Sequence, residues 1–190
     1  MKDQIEAFAP PDAAQAITTD RLVLRPLEIA DAGWVGRESG RPEVAGKLAL
    51  VPSPNPALFA EMFILAARAR ALNAGDLVSA IVARETGAPL GVIGASARGE
   101  GRFGFGYWLA PSAWGKGYAT EAGRAMVAAL TARGARTLKA GWFTDNPASA
   151  RVLEKLGFVH NGEDEPQFCT AALSKRPHRG MTLEIGPKTV

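Results

Sequence analysis

Pro111-Ser112-Ala113-Trp114-Gly115-Lys116-Gly117-Tyr118-Ala119-Thr120-Glu121-Ala122 is the stretch whose reading decides the fold. Before it, Phe103 to Ala110 reads as a strand. After it, Tyr118 to Ala132 reads as a helix, with Ala119, Ala122 and Gly123 on one side, then Met126, Val127 and Leu130, and Gly134 as its stop. The stretch is therefore a strand-to-helix turn. A helix start carries N–H groups without intrahelical acceptors and the positive end of the helix dipole. Gly115 and Gly117 let the backbone come close to a ligand there, and a phosphate suits such a site best.

Two glycine-rich nucleotide motifs do not fit. A P-loop needs G-x-x-x-x-G-K-[ST], but Gly117 follows Gly115-Lys116 and Ala110 stands at the first glycine. A dinucleotide fingerprint needs G-x-G-x-x-G, and Gly104-Phe105-Gly106-Tyr107-Trp108 runs into Leu109.

Outward from the turn, Leu77 to Ala83 and Leu90 to Ala97 are strands joined by the hairpin turn Glu85-Thr86-Gly87-Ala88-Pro89. Arg21-Leu22-Val23-Leu24-Arg25 alternates and ends at Pro26. Residues 28–38 can form a short helix, and 39–56, with four prolines, reads mainly as loop. Asn55-Pro56 predicts a helix start, Gly75 its stop, and Leu58, Met62, Leu65 and Ala69 its apolar stripe. Leu138 to Phe143 is a strand. Pro147 to Leu156 is a helix capped by Asn146 and ended by Gly157. Phe168 to Leu173 and Met181 to Ile185 are expected as final strands. Residues 1–17 read as a loose lead-in and 18–190 as one domain. This order predicts an α/β (α+β) mixed sheet with helices on both faces.

The 190 residues are 47% apolar, enough for a full core, with 22 basic and 19 acidic residues. No basic run is interleaved with aromatics, so nucleic acid is not the expected partner. The single cysteine, Cys169, excludes an internal disulfide framework and reads as a small buried residue. His160 and His178 lie apart with no Cys/His cluster, so no metal is expected. No signal-like or membrane-length apolar run is present, which makes the cytoplasm the expected location.

A second stretch, Asn146-Pro147-Ala148-Ser149-Ala150-Arg151-Val152-Leu153-Glu154-Lys155-Leu156-Gly157-Phe158, follows one strand after the turn. Together the two stretches resemble the GNAT superfamily of acetyl-CoA-dependent N-acetyltransferases. Its motif is [QR]-x-x-G-x-[GA], matched by Trp114-Gly115-Lys116-Gly117-Tyr118-Ala119 except that Trp114 replaces Gln or Arg. Trp114 followed by G-K-G-Y-A-T-E-A, with Thr19-Asp20-Arg21-Leu22-Val23-Leu24-Arg25-Pro26-Leu27 and Gly106-Tyr107-Trp108-Leu109, resembles the RimJ/RimL-like ribosomal-protein N-terminal acetyltransferases. The resemblance spans about residues 18 to 158.

This resemblance implies a GNAT fold with a mostly antiparallel sheet of six to seven strands, splayed between its fourth (103–110) and fifth (138–143) strands. It implies pantetheine pairing with backbone around Trp108, Leu109 and Ala110. It implies pyrophosphate held by the N–H groups of Gly115, Lys116, Gly117, Tyr118, Ala119 and Thr120, pantetheine contact from Asn146, and Ser149 holding the leaving sulfur. Arg151 would meet the 3′-phosphate region. The acceptor would be a primary amine, of a small molecule or a protein N-terminus, in a monomer or homodimer. Related enzymes often carry a base glutamate near the start of the fourth strand, where this chain has Phe103, Gly104 and Phe105. Glu100, Glu121 and Asp145 are the acidic alternatives, and His160 and His178 are candidates for the acceptor pocket. That missing glutamate supports a second expectation, a non-catalytic acyl-CoA sensor; a third is a different acyl donor. Trp34 and Trp142 read as core, as does at least one of Tyr107 and Trp108.

Overall fold

The computed structural model describes residues 16–185. The expected lead-in over 1–17 falls outside the described residues except for Ala16 and Ile17. The chain runs β1 (Ile17–Thr18), β2 (Leu22–Pro26), α1 (Ala32–Ser39), α2 (Pro42–Ala45), α3 (Ala57–Ala74), β3 (Leu77–Ala83), β4 (Pro89–Ala97) and β5 (Arg102–Leu109). It continues through α4 (Tyr118–Ala132), β6 (Thr137–Phe143), α5 (Pro147–Lys155), β7 (Val159–His160), β8 (Gln167–Cys169), β9 (Ser174–Arg176) and β10 (His178–Glu184).

Among the described residues, eight strands form one sheet in the order β1-β2-β3-β4-β5-β6-β10-β7, and β8-β9 form a separate ribbon. Every pairing is antiparallel except β5 with β6. The sheet exceeds the expected six to seven strands because two-residue β1 and β7 are too short to show an alternating pattern.

Strand alternation builds a core on each face. Leu22, Leu24, Ile81, Ile93, Phe105 and Leu138 pack under Ala122, Met126 and Leu130 of α4 and Leu153 of α5. Their neighbours Ala80, Val82 and Val92 point the other way, onto Val35 of α1 and Ala60 and Ile64 of α3. Helices therefore cover both faces, as expected.

Three local expectations change. Residues 39–56 contain the one-turn helix α2, started by Pro42. Helix α3 begins at Ala57, with Pro56 as its cap residue, because the Asn55 amide instead donates to Ser39 Oγ at 2.9 Å. Its buried residues are Ala60, Ile64 and Ala67, whereas Leu58, Met62, Leu65 and Ala69 are exposed. Apolar residues surround most of α3, so periodicity does not select a face. Close approach selects it: a Cβ on Gly36 of α1 would lie 3.3 Å from Ala57 Cα. Near the end of the chain, the strand expected to reach Leu173 stops at Cys169. A 3-10 turn over Thr170–Ala172 and Leu173 at φ 50° reverse it into β9.

Candidate active site

β5 and β6 pair only through Arg102↔Thr137, Phe103↔Leu138 and Gly104↔Lys139. Beyond these, β5 stays on β4 as far as Leu109, and β6 stays on β10 as far as Phe143. The two strands diverge, and a cavity of about 580 Å³ fills the fork, a size typical of small-ligand sites.

Ladder parity decides which backbone groups face the gap. The Ala110 N–H donates to Leu90 O at 2.8 Å. In an antiparallel ladder the in-plane direction alternates, so Trp108 and Gly106 also face β4, while Tyr107 and Leu109 face the fork. The backbone groups that face the gap are therefore those of Tyr107 and Leu109 rather than those of Trp108 and Ala110, while Trp108 itself still lines the cavity. Ala110 is buried and off the cavity wall. The Trp108 indole stacks on Trp34 at 5.4 Å in the second core.

At one end of the cavity lies the glycine turn. Gly115 (φ 74°) and Gly117 (φ 81°) occupy the left-handed region, where a side chain is strained. Among the described residues, none of the six N–H groups from Gly115 to Thr120 has a protein acceptor. Glu121 is the first to bond, to Gly117 O at 3.1 Å. Gly115, Gly117, Tyr118, Ala119 and Thr120 line the cavity, whereas Lys116 does not. Trp114, at the motif's departing position, lines it too, and its indole N–H donates to Leu109 O at 2.9 Å, tying the turn to the end of β5.

Arg21, which sequence reading did not single out, braces this turn from 95 residues away. Its guanidinium donates to Lys116 O at 3.1 Å and lies 4.7 Å from the Tyr118 ring centroid. Glu121 holds Arg21 through Nε (2.7 Å) and the backbone N–H (2.9 Å), and accepts from Thr19 Oγ1 at 2.6 Å. Burial pushes the Glu121 carboxyl up, but these bonds outweigh it and hold it below its ordinary value. Glu121 is thus a structural carboxylate.

Asn146 precedes α5 without a side-chain capping bond, contrary to expectation, and its carbonyl accepts from Ser149 N at 3.0 Å. Asn146, Ser149 and Arg151 all line the cavity. Tyr107 Oη donates to Ser149 Oγ at 3.2 Å. Burial raises the Tyr107 phenol pKa, against the opposing pull of that bond, so the phenol stays protonated at neutral pH. Sequence reading, which gave core packing to at least one of Tyr107 and Trp108, did not find this pair. The alternation of β5 contained the signal, since Phe105, Tyr107 and Leu109 share the face that carries α5.

The opposite wall is the segment 44–49, the end of α2 and the residues after it, with Val44, Lys47, Leu48 and Ala49 on the cavity. The β8–β9 ribbon holds it: Thr170 N and Oγ1 each donate to Ala49 O at 2.9 Å, and Cys169 Sγ to Leu48 O at 3.5 Å. Arg176 donates to Gly46 O and to Asp145, while Lys47 Nζ meets Asp145 Oδ2 at 2.9 Å. Burial pushes the Asp145 carboxyl up, but Lys47 and Arg176 prevail and lower it. A carboxylate held by two cations is a poor base. Glu100 sits in the turn before β5, beside the paired end of the fork. His160 bonds Asp164 at 2.6 Å and is off the cavity, whereas His178 is on its wall, edge-on to Phe143 at 5.7 Å. Trp142 also lines the cavity.

Among the described residues, no group of three or more His, Cys, Asp and Glu is placed to hold a metal ion, and no helix is long and apolar enough to cross a membrane.

Comparison with known proteins identifies the architecture. Residues 21–159 match the acetyltransferase (GNAT) domain family. The N-acetyltransferase p20 of Bacillus licheniformis is 26% identical over 151 residues, 78% of this chain and 84% of that protein. The ribosomal alpha-N-protein acetyltransferase RimL, solved with coenzyme A, superposes with a TM-score of 0.78 at 16% identity, over 90% of this chain and 98% of RimL. The microcin C7 self-immunity acetyltransferase MccE, solved with acetyl-CoA and AMP, gives 0.75 at 17% identity, over 88% and 94%. With the fork, the glycine turn and the matched family domain in agreement, the chain belongs to the GNAT acetyltransferase family of acetyl-CoA-dependent N-acetyltransferases and is an acyltransferase enzyme.

Proposed function

We propose that this protein moves an acetyl group from acetyl-CoA to a primary amine by direct attack within a ternary complex. The observation that carries the reading is the run of six N–H groups, Gly115 to Thr120, without protein acceptors at the end of a forked cavity that contains the Tyr107–Ser149 pair. The amides suit the pyrophosphate. The gap-facing edge of β5 suits pantetheine as an added strand would, through Tyr107 and Leu109. Asn146 is placed for the same arm, and Arg151 for the 3′-phosphate region. Residues 18–190 act in this as one domain.

The amine lone pair attacks the thioester carbon, the C–N bond forms, and the C–S bond breaks. A gap-facing N–H of β5 can donate to the oxyanion. The departing sulfur needs a proton or a hydrogen bond. Ser149 Oγ accepts from Tyr107, which leaves its own O–H free to donate to sulfur, and the protonated phenol can resupply it. This pair also weighs against the sensor reading, since a binding module has no use for a donor at the sulfur.

Two variants test the relay. Ser149→Ala and Tyr107→Phe should each lower kcat by about 100-fold and change coenzyme A affinity by less than about threefold. The double variant should be little worse than either single one, because they act as one unit. Wild-type turnover in Ser149→Ala removes the serine from the mechanism. Thiol release with small amines and peptides of varied N-terminal residue identifies the acceptor. RimL, an alpha-N-protein acetyltransferase with the same fold, supports including peptides.

A further inference from the structure

The relay supplies a proton to sulfur but leaves open where the amine's proton goes. We propose that the His178 imidazole is the base that receives it, directly or through one water. This rests on the transferase reading above.

The argument is geometric. Gly141 is the second residue of β6 beyond the last rung shared with β5, so it lies where the fork opens. His178 stands opposite Phe143 in the β6–β10 register, and its ring crosses diagonally over Gly141. A Cβ on Gly141 would lie 2.2 Å from His178 Cε1 and 2.3 Å from Nε2. A side chain at 141 would therefore occupy the space the ring now fills. The edge-on contact with Phe143 fixes the ring's other side. Neither ring nitrogen has a hydrogen-bond partner among the described residues, and the residue lies on the cavity wall. A positioned imidazole with unengaged nitrogens, at the mouth of the gap that exposes the thioester, is suited to proton abstraction.

The charged groups around it leave it neutral. Arg176 lies over the Phe143 ring at 5.2 Å, joined to Asp145 and Lys47. Lys139, two residues before Gly141 on the same face, pairs with Glu163. Asp164, from the loop before β8, favours the protonated ring, but it is engaged by His160. Tyr107 is the titratable group of β5 on the cavity and stays neutral. Burial dominates and lowers the His178 pKa below its ordinary 6.5. In the step, one amine N–H proton passes to a ring nitrogen while the C–N bond forms. The C–S bond breaks with a proton from Ser149, the Tyr107 phenol restores the serine hydroxyl, and the imidazolium's proton returns through solvent to the phenolate, which leaves every group as it began. One amine and one acetyl-CoA give one amide and one free thiol.

His178→Gln and Gly141→Ala test this in the full chain, with the fastest acceptor found among n-butylamine, spermidine and free-N-terminus peptides. The glutamine keeps bulk and polarity, and the alanine displaces the ring without removing it. Each should lower kcat/KM at pH 7.5 by about 100-fold and leave coenzyme A affinity, read by calorimetry, within about twofold. The wild-type profile should lose activity on acidification below pH 6.5. His178→Gln should lack that limb, and 50 mM imidazole should restore part of the rate of His178→Ala. A His178→Gln profile superimposable on wild type overturns the base while leaving the transferase standing. Wild-type protein that gives no heat with coenzyme A overturns the transferase reading and the base with it.

Discussion

The two walls of the fork are built on different principles. The wall formed by residues 114–120 and α5 presents main-chain N–H groups at a helix start, and local features shape the turn itself, two left-handed glycines and the Trp114 bond to Leu109, with Arg21 bracing it from outside. The wall formed by residues 44–49 has no regular structure beyond α2. It stands because residues some 98 to 130 positions away hold it, through Lys47–Asp145, Thr170–Ala49, Cys169–Leu48 and Arg176–Gly46. A locally specified wall suits the invariant half of a donor molecule. A wall assembled by distant contacts can change with the acceptor while the donor side stays as it is.

Gly117→Val should produce the largest separation between the walls. A β-branched residue at φ 81° is a steric outlier, whereas space is not limiting, since a Cβ would meet only Arg21 at 3.5 Å. The turn must move, and coenzyme A affinity should fall by about 10- to 100-fold, corresponding to about 1.4 to 2.7 kcal/mol. Calorimetry reads it. An unchanged affinity would mean that the amides are not the phosphate site.

Asp145→Asn is the counterpart on the other wall, with a smaller effect. Losing the charge that joins Lys47 and Arg176 loosens 44–49, so the acceptor KM should rise by about tenfold while coenzyme A affinity changes by less than about twofold. Equal losses on both sides would show that Asp145 serves α5 as much as the acceptor wall. The lowered carboxyl pKa sets the sign with pH. The native state binds the proton more weakly than the unfolded chain, so the contribution is complete above the ordinary value of 3.8 and is lost as pH falls through the lower native one. The carboxylate is about half exposed, which keeps the effect small.

The same contrast explains what the sequence disclosed. The glycine turn, its helix, the β3–β4 hairpin and the helix that carries Ser149 were legible because glycine positions, alternation and spacing are local signals. The splay and the RimL-like likeness came through as well, carried by the two signature stretches. What local signals do not encode was missed. Arg21 and Glu121 meet across 100 residues. The face buried by α3 depends on how closely Gly36 lets α1 approach Ala57. Tyr107 is the instructive case, because its hydroxyl partner lies 42 residues away on another element. The direction of the Trp108 and Ala110 backbone groups depends on ladder parity, which one rung, Ala110 to Leu90, decides and which the sequence does not show.

The smallest expected effect separates backbone from side-chain recognition on the donor wall. Arg151 is exposed on α5, lines the cavity, and has no ion-pair partner among the described residues. If it meets the 3′-phosphate region, the contact is a solvent-exposed charge pair, worth about 0.2 to 1 kcal/mol. Arg151→Ala should therefore weaken coenzyme A by only about two- to fivefold in dilute buffer. Screening shortens from about 10 Å at 0.1 M salt to about 3 Å at 1 M, so raising the salt should erase most of the difference between this variant and wild type. Dephospho-coenzyme A should erase it too, because the missing phosphate is the group the guanidinium would meet. The Gly117→Val deficit should survive both treatments, since the turn's strained conformation does not depend on ionic strength. An Arg151→Ala deficit that persists at 1 M salt and with the dephosphorylated ligand would place the arginine in the packing of α5 and leave recognition to the main chain.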